Sequence, residues 1–97
     1  MSLPVGLTAE AQAEFDDAAD WYDQQAGLGA AFTAAVRDVL SRIAAVPLLH
    51  QIVYKDIRRA LVRRFPYSVF YRPDPNRITV IAVFDNRRDP AIWQGRA

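Results

Sequence analysis

Apolar residues alternate with other residue types at the start of the chain, at Leu3, Val5 and Leu7. Side chains two residues apart reach the same face of a β-strand, so this spacing predicts a short strand over residues 3–7. Pro4 has no backbone N–H to donate, which indicates that one edge of this strand is unpaired there.

Two segments with helical spacing follow. The first begins after Thr8, a residue type that caps helix N-termini, and ends near Gln25. The second runs from about Ala30 to Val46, and Pro47 ends it. Because the connection at residues 26–29 is short and rich in glycine, the two helices are predicted to pack as an antiparallel hairpin.

From residue 51 onward the spacing changes to that of strands. Strands are predicted over residues 51–54, 57–65, 68–72 and 77–84, with a turn at residues 74–76. The last of these is apolar on both faces, which is typical of a strand in the interior of a sheet. After Asp89 and Pro90, one helical turn is expected to dock Ile92 and Trp93.

These elements predict an α+β fold in a single domain that spans residues 1–97. We expect an N-terminal strand and an antiparallel two-helix hairpin, packed on one face of a small, mainly antiparallel sheet of three to five strands. The other face of the sheet has no helix to cover it, so the arginines of the 57–65 strand are candidates for that face. Arg59 and Arg63 share one side of this strand, and Arg58 and Arg64 share the other. The alternation alone leaves open which pair is exposed.

Composition excludes several classes of site. The chain of 97 residues has no cysteine and one histidine, His50, which excludes disulfides, cysteine-based metal sites and multi-histidine metal sites. No metal site and no cofactor are therefore expected. No apolar run approaches the length of a membrane helix, and the N-terminus lacks the features of a signal peptide. The expectation is a soluble, cytoplasmic protein without a membrane partner.

Charge is distributed unevenly along the chain. Residues 1–50 carry seven acids and two arginines, a net charge of −5. Residues 51–97 carry four acids, nine arginines and one lysine, a net charge of +6. Because arginine suits bidentate contacts with phosphate or carboxylate groups, the basic half is expected to face an anionic or acidic partner.

A set of ordered motifs spans nearly the whole chain. They are Leu-Thr-Ala-Glu-Ala at 7–11, Trp-Tyr at 21–22, Gly-Leu-Gly-Ala-Ala-Phe at 27–32, Ile-Arg-Arg-Ala-Leu-Val-Arg-Arg-Phe-Pro-Tyr at 57–67, Tyr-Arg at 71–72, Ala-Val-Phe at 82–84, Arg-Arg-Asp-Pro at 87–90 and Trp93. Together they make the chain resemble the RelE/ParE superfamily of bacterial toxins, and its ParE-like, plasmid stabilisation branch in particular.

The resemblance implies a toxin of a type II toxin–antitoxin system that a cognate antitoxin protein neutralises, in a possible hetero-oligomer. It also implies one of two targets, because RelE-like members cleave messenger RNA on the ribosome and ParE-like members act on DNA gyrase. Many relatives have a histidine after the last apolar strand, at the position that is Asp85 here.

Cleavage of RNA needs a general base, a proton donor and cations near the phosphate. If the chain is a nuclease, the candidate catalytic residues are Arg63, Tyr71, Asp85 and Arg88; Tyr67 and His50 are further candidates for base or acid. Asp85 lies next to Arg87 and Arg88 in sequence, so its pKa is expected to be lowered, which makes it a weak base. It is expected instead to pair with one of these arginines and to hold the loop.

Poisoning of a protein target such as gyrase needs no general acid or base, only a shaped, charged and partly apolar surface, and we favour this interpretation. The candidate target-binding residues are Arg58, Arg59, Arg63, Arg64, Arg72, Arg87, Arg88 and Trp93. Two alternatives stay open: a ribosome-dependent endoribonuclease, and a non-toxic relative that only binds an antitoxin. The arginines also have a simpler interpretation, a solvated strand face with ion pairs to Asp56 or to acids of the helices.

Overall fold

A computed structural model describes residues 2–97 as five strands and three helices. They are β1 (Val5–Leu7), α1 (Ala9–Ala26), α2 (Gly29–Ala45), β2 (Ile52–Tyr54), β3 (Ile57–Leu61), β4 (Tyr67–Pro73), β5 (Ile78–Asp85) and α3 (Ala91–Gln94). The strands form one sheet in the order β1-β5-β4-β3-β2, in which β1 is parallel to β5 and the other neighbours are antiparallel. The predicted α+β fold class is confirmed. Within residues 2–97, no helix has both the length and the apolar character needed to cross a membrane.

The helical hairpin is determined by local residues at its ends. The Thr8 hydroxyl oxygen accepts a hydrogen bond from the Ala11 N–H at 3.2 Å, as expected of an N-cap. Gly27 ends α1 in the left-handed region, with a φ of 66°. A Cβ atom on Gly29 would lie 2.7 Å from the Cβ of Asp23, so this glycine allows α2 to approach α1 closely.

The main core lies between the hairpin and the sheet. Phe32, Val36 and Ile43 of α2 are fully buried there. They pack in one cluster with residues of the central strands, among them Val69 and Val80. Burial of these apolar side chains against each other stabilises the fold, by about 1.5–3 kcal/mol for each large side chain.

Strand β3 is shorter than the sequence predicts, because it ends at Leu61 and not at residue 65. The Val62 N–H donates to the Tyr67 carbonyl at 2.9 Å and closes the β3–β4 hairpin. Arg64 then adopts the left-handed region, with a φ of 71°, which lies outside the range of a regular strand. Arg63 and Arg64 therefore lie in a turn, and the strand alternation on which their predicted faces rested does not apply to them.

The second face of the sheet is partly covered, contrary to the prediction that no helix covers it. Helix α3 places the Trp93 ring on the Phe70 ring, with 3.9 Å between centroids and 16° between planes. Trp93 is buried, as the docking prediction required, whereas Ile92 is exposed. Arg59 lies on β3 opposite Phe70, at the margin of this covered area.

Candidate functional site

A cleft of about 190 Å³ opens on the face of the sheet that carries α3. Its floor is aromatic and consists of Phe70, Phe84 and Trp93. The Phe70 and Phe84 rings meet edge to face, with centroids 6.5 Å apart. The polar groups of the rim are supplied by β3 and by the loop after β5, namely Arg59, Asp85, Asn86 and Arg88.

Arg59 is held in the cleft by a buried hydroxyl group. Its Nε donates to the Ser68 Oγ at 2.9 Å, and the Ser68 hydroxyl donates to the Asn86 Oδ1 at 2.6 Å. Ser68 is fully buried, so these two hydrogen bonds satisfy a polar group that water does not reach. Within residues 2–97, the terminal amino groups of Arg59 have no hydrogen-bond partner.

Arg88 enters the same cleft from the loop after β5. Its guanidinium carbon lies 5.1 Å from the centroid of the Phe84 ring, within the range of a cation–π contact. No carboxylate of the described residues forms a salt bridge with Arg88. The cleft thus holds two guanidinium groups whose charge the chain itself leaves without a carboxylate partner.

Asp85 is bound to Arg87 and is unsuited to be a base. Its two carboxylate oxygens accept from the Arg87 Nε at 2.9 Å and from the Arg87 Nη2 at 2.7 Å, and the Arg87 N–H adds a third hydrogen bond at 2.9 Å. These hydrogen bonds lower the pKa of Asp85 against a smaller opposing effect of burial. The predicted pairing, which leaves the carboxylate ionised and holds the loop, is observed.

Arg58 and Arg72 lie outside the cleft lining and have partners within the chain. The Arg58 Nη1 donates to the carbonyls of Leu48 at 3.1 Å and of His50 at 2.7 Å. The Arg72 Nε donates to Asp56 at 2.8 Å, as the alternative interpretation of the arginines expected. Arg58 is therefore positioned to hold the loop between α2 and β2.

Arg63 and Arg64 border a second groove, on the side of α2. They line a cavity of about 480 Å³ together with Leu28 and Ala35 of the hairpin region and with Phe65. The arginines that the sequence predicts as one surface are thus divided between this groove and the α3-side cleft. Strand alternation would have put Arg63 on the side of Arg59, but β3 ends at Leu61 and Arg63 lies in the turn that follows.

Tyr71 and Trp93 do not lie at the surface where the sequence suggested a site. Tyr71 is fully buried on the helix side of the sheet, and its hydroxyl donates to the Pro47 carbonyl at 2.8 Å. Its pKa is raised by burial, so it is neither exposed nor easily ionised. Trp93 is 4% exposed and forms the floor of the cleft rather than a projecting contact. His50 lies beside Tyr71, with ring centroids 6.2 Å apart, and is not part of the cleft lining.

Sequence reasoning missed Ser68 and Asn86. Ser68 carries a weak signal, because it interrupts the apolar run of β4, and in the structure it is the sole buried polar residue among those described. Asn86 stands between charged residues in a loop and has no pattern that distinguishes it. Only the pairing of β3, β4 and the β5 loop brings the two residues to Arg59.

The chain is similar to known proteins both in sequence pattern and in fold. Residues 5–90 match the family model described as "ParE toxin of type II toxin-antitoxin system, parDE". Among solved structures, a chain of the "Chromosomal ParDE TA system from P. aeruginosa" aligns with a TM-score of 0.64 at 18% identity, over 87% of this chain and 96% of that one. At this identity the structural match shows a shared fold and nothing finer. Among curated protein sequences, none matches significantly.

Proposed function

This chain belongs to the ParE toxin family of type II toxin–antitoxin systems, and we propose that it inhibits growth by poisoning DNA gyrase and is neutralised by a cognate antitoxin protein. The cleft on the α3 side of the sheet is the proposed target-binding site, with Arg59 and Arg88 as its principal contacts. Poisoning of this kind requires the chain to bind its target but not to catalyse a reaction on it.

The observation that carries the choice of target is the state of Asp85. General-base catalysis is most effective when the pKa of the base lies near the working pH. Asp85 accepts three hydrogen bonds from Arg87, and these lower its pKa. A carboxylate held in this way is a poor proton acceptor, which argues against RNA cleavage in the cleft and supports a binding function.

The remaining candidate acids and bases lie elsewhere. Tyr71 is buried in the core, and His50 lies beside it on the far side of the sheet from Trp93. Tyr67 borders a neighbouring groove, and burial raises its pKa. Within residues 2–97, the groups that line the cleft are arginines, one ion-paired carboxylate, an amide and apolar side chains, a set suited to recognition of another molecule.

An arginine beside a desolvated aromatic floor is a frequent arrangement at the energetic centre of protein interfaces. Arg59 and Arg88 provide the charge, and the buried rings of Phe70 and Phe84 form the apolar floor beneath it. Such a site is better suited to binding a folded protein than to catalysing a reaction.

Neutralisation by an antitoxin is supported by the apolar surface that the fold leaves uncovered. Leu48 is 68% exposed and Leu49 is 71% exposed in the loop that follows α2. The groove beside α2 combines Phe65 with Arg63 and Arg64, which suits a segment with both apolar and acidic residues. An amphipathic antitoxin that covers these surfaces is therefore part of the proposal.

The test begins with growth and then separates the two targets. Expression of the chain alone is expected to stop growth, and the purified chain is expected to inhibit supercoiling by purified gyrase while ribosome-bound message stays intact. Intact supercoiling with cleaved message would instead identify a nuclease. Normal growth with abundant folded protein would identify a non-toxic relative.

Variants then test the cleft. Arg59→Gln and Arg88→Gln are each expected to weaken inhibition of gyrase by about tenfold or more. Truncating one partner of a desolvated charge pair lowers the binding free energy by about 2 kcal/mol or more. Arg37→Gln makes the same charge change at an exposed position of α2 and is the matched control. Equal loss in all three variants would indicate that net charge alone is responsible.

A further inference from the structure

We propose that the α3-side cleft binds a carboxylate group, supplied by one acidic side chain of a partner protein, with Arg59 and Arg88 as the anion-binding groups and Ser68 as the buried residue that orients Arg59. The choice of a protein as the partner rests on the proposed function. The carboxylate chemistry rests on the cleft alone.

The orientation of Arg59 follows from the single proton of a serine hydroxyl. Ser68 donates that proton to the Asn86 Oδ1 at 2.6 Å, so toward Arg59 its oxygen is an acceptor. The Arg59 Nε uses this acceptor, and the fork formed by its terminal amino groups stays available. A guanidinium that is fixed at Nε and free at its end presents two parallel donors, the geometry that matches two carboxylate oxygens.

Arg88 adds a second positive charge at the rim of the same cavity. Its contact with the Phe84 ring leaves its own N–H groups available, since no carboxylate of the described residues pairs with it. The volume of the cleft is about 190 Å³. The cleft thus has room for a single side chain of moderate size above the floor of Phe70 and Trp93.

The surroundings of the cleft favour an isolated carboxylate over a nucleic-acid strand. A strand carries a charge on every phosphate and binds along a continuous series of cations. Here the groove on one side of the cleft is lined by three acids, Asp17, Asp85 and the ion-paired Glu14, and Arg88 is shared between this groove and the cleft.

On the other side of the cleft the neighbouring surface is apolar. Val53 lines the cleft and is 42% exposed, and Leu61, two residues beyond Arg59 on β3, is 61% exposed. Outside the cleft, Arg72 and Arg87 already pair with carboxylates of the chain, and the Lys55 ammonium lies over the Tyr54 ring, 5.5 Å from its centroid. A protein segment with one acidic residue among apolar residues matches this arrangement, and a polyanion does not.

The probe for this site is 3-phenylpropionate, which joins one carboxylate to one aromatic ring. In a nitrogen-15 NMR titration we expect shifts at the Arg59 Nε–Hε group, the Asn86 amide and the Trp93 indole N–H, with a dissociation constant of roughly millimolar order. The neutral isostere 3-phenylpropanamide should bind about tenfold more weakly or not at all, since hydrogen bonds between two charged groups are stronger than those to a neutral group. Equal binding of the two compounds, or no shift at these signals, would overturn the proposal.

Uridine 5′-monophosphate tests the alternative source of negative charge. Weaker binding than 3-phenylpropionate supports the carboxylate proposal. Tenfold tighter binding at the same signals would overturn it in favour of nucleic acid. Arg59→Gln should weaken binding of 3-phenylpropionate by about tenfold or more, and the matched control Arg37→Gln should not change it.

The role of Ser68 needs a readout that a purely structural residue would not change. Ser68→Ala should weaken 3-phenylpropionate binding several-fold and alter the Arg59 Nε–Hε signal in the free protein, and Ser68→Thr, which restores a hydroxyl, should recover both. Asn86 is exposed, so Asn86→Ala provides the same test if Ser68→Ala fails to fold. Unchanged affinity in a folded variant of either residue would remove the positioning role.

Failure of this proposal is distinguishable from failure of the proposed function. Binding of 3-phenylpropionate that depends on Arg59, in a chain that does not inhibit gyrase, would leave the carboxylate site intact and reject the target. Inhibition of gyrase that persists in Arg59→Gln, together with no binding of the probe, would retain the target and reject the site.

Discussion

Arg96 and Glu14, which are 82 residues apart in the chain, form a bidentate ion pair with two N–O distances of 3.0 Å. The same two side chains also bind the backbone of β5, because Arg96 donates to the Ile81 carbonyl at 3.0 Å and Glu14 accepts from the Val83 N–H at 3.1 Å. Strand β1 pairs with β5 only as far as Val80. The ion pair therefore satisfies the edge of β5 beyond β1 and fastens the C-terminal segment to α1.

Removing Glu14 from this pair is expected to destabilise the fold. Glu14→Gln should lower the free energy of unfolding by about 1–3 kcal/mol, since it leaves a largely buried guanidinium without its counter-charge. Urea unfolding followed by circular dichroism measures the change. Asp38→Asn is the control, because the Arg42–Asp38 pair has the same 3.0 Å distance but side chains about half exposed, and it should cost less than about 0.5 kcal/mol. Equal effects in the two variants would contradict the structural role of the Glu14 pair.

The Asp85–Arg87 pair predicts a pH dependence of stability. The pKa of Asp85 is lowered from 3.8 in the folded chain, mainly by hydrogen bonds from Arg87, so the unfolded chain takes up the proton first as the pH falls. Its contribution to stability is fully present above the unfolded pKa and is lost as the pH falls through the folded pKa. Asp85→Asn should therefore be less stable than the parent at pH 7, with the difference shrinking below about pH 4. A difference that stays constant down to pH 3 would contradict this linkage.

Tyr71→Phe tests whether Tyr71 is a core residue or a residue of the functional site. The variant keeps the buried ring but loses the hydrogen bond to the Pro47 carbonyl, which should cost about 0.5–1.5 kcal/mol of unfolding free energy. Inhibition of growth should be unchanged at a temperature where the variant is folded. Loss of toxicity without loss of stability would instead return Tyr71 to the functional site.

Gly29 is predicted to be intolerant of any side chain. Gly29→Ala places a Cβ atom 2.7 Å from the Cβ of Asp23 and 2.9 Å from the Ala19 carbonyl oxygen, so α1 and α2 must separate. We expect a loss of about 1–3 kcal/mol in thermal or urea unfolding, although alanine is the better helix former. Gly27→Asn is the comparison, because position 27 has open space and asparagine tolerates its φ of 66°. A smaller loss at position 29 than at position 27 would show that the helices do not pack as closely as described.

The sequence by itself determined the order of the elements, the two helices with their ends, and the presence of a basic second half. These features are local, since apolar spacing, the Thr8 cap and the glycines at 27 and 29 act over a few residues. The motifs also identified the family, because they run in order over most of the chain. The ion pair of Asp85 was also predictable from the sequence, because its partner Arg87 is only two residues away.

The composition of the cleft was decided only by the tertiary structure. Arg63 and Arg64 follow the end of β3 in a turn and line the groove beside α2, away from the cleft. Ser68 and Asn86 reach Arg59 only when two strand pairs and a loop have formed. Strand alternation specifies two faces but not which face the helices cover, and contacts between residues distant in sequence are decided by how the whole core packs. The arginines were therefore visible in the sequence, whereas the pair that stays free to bind was not.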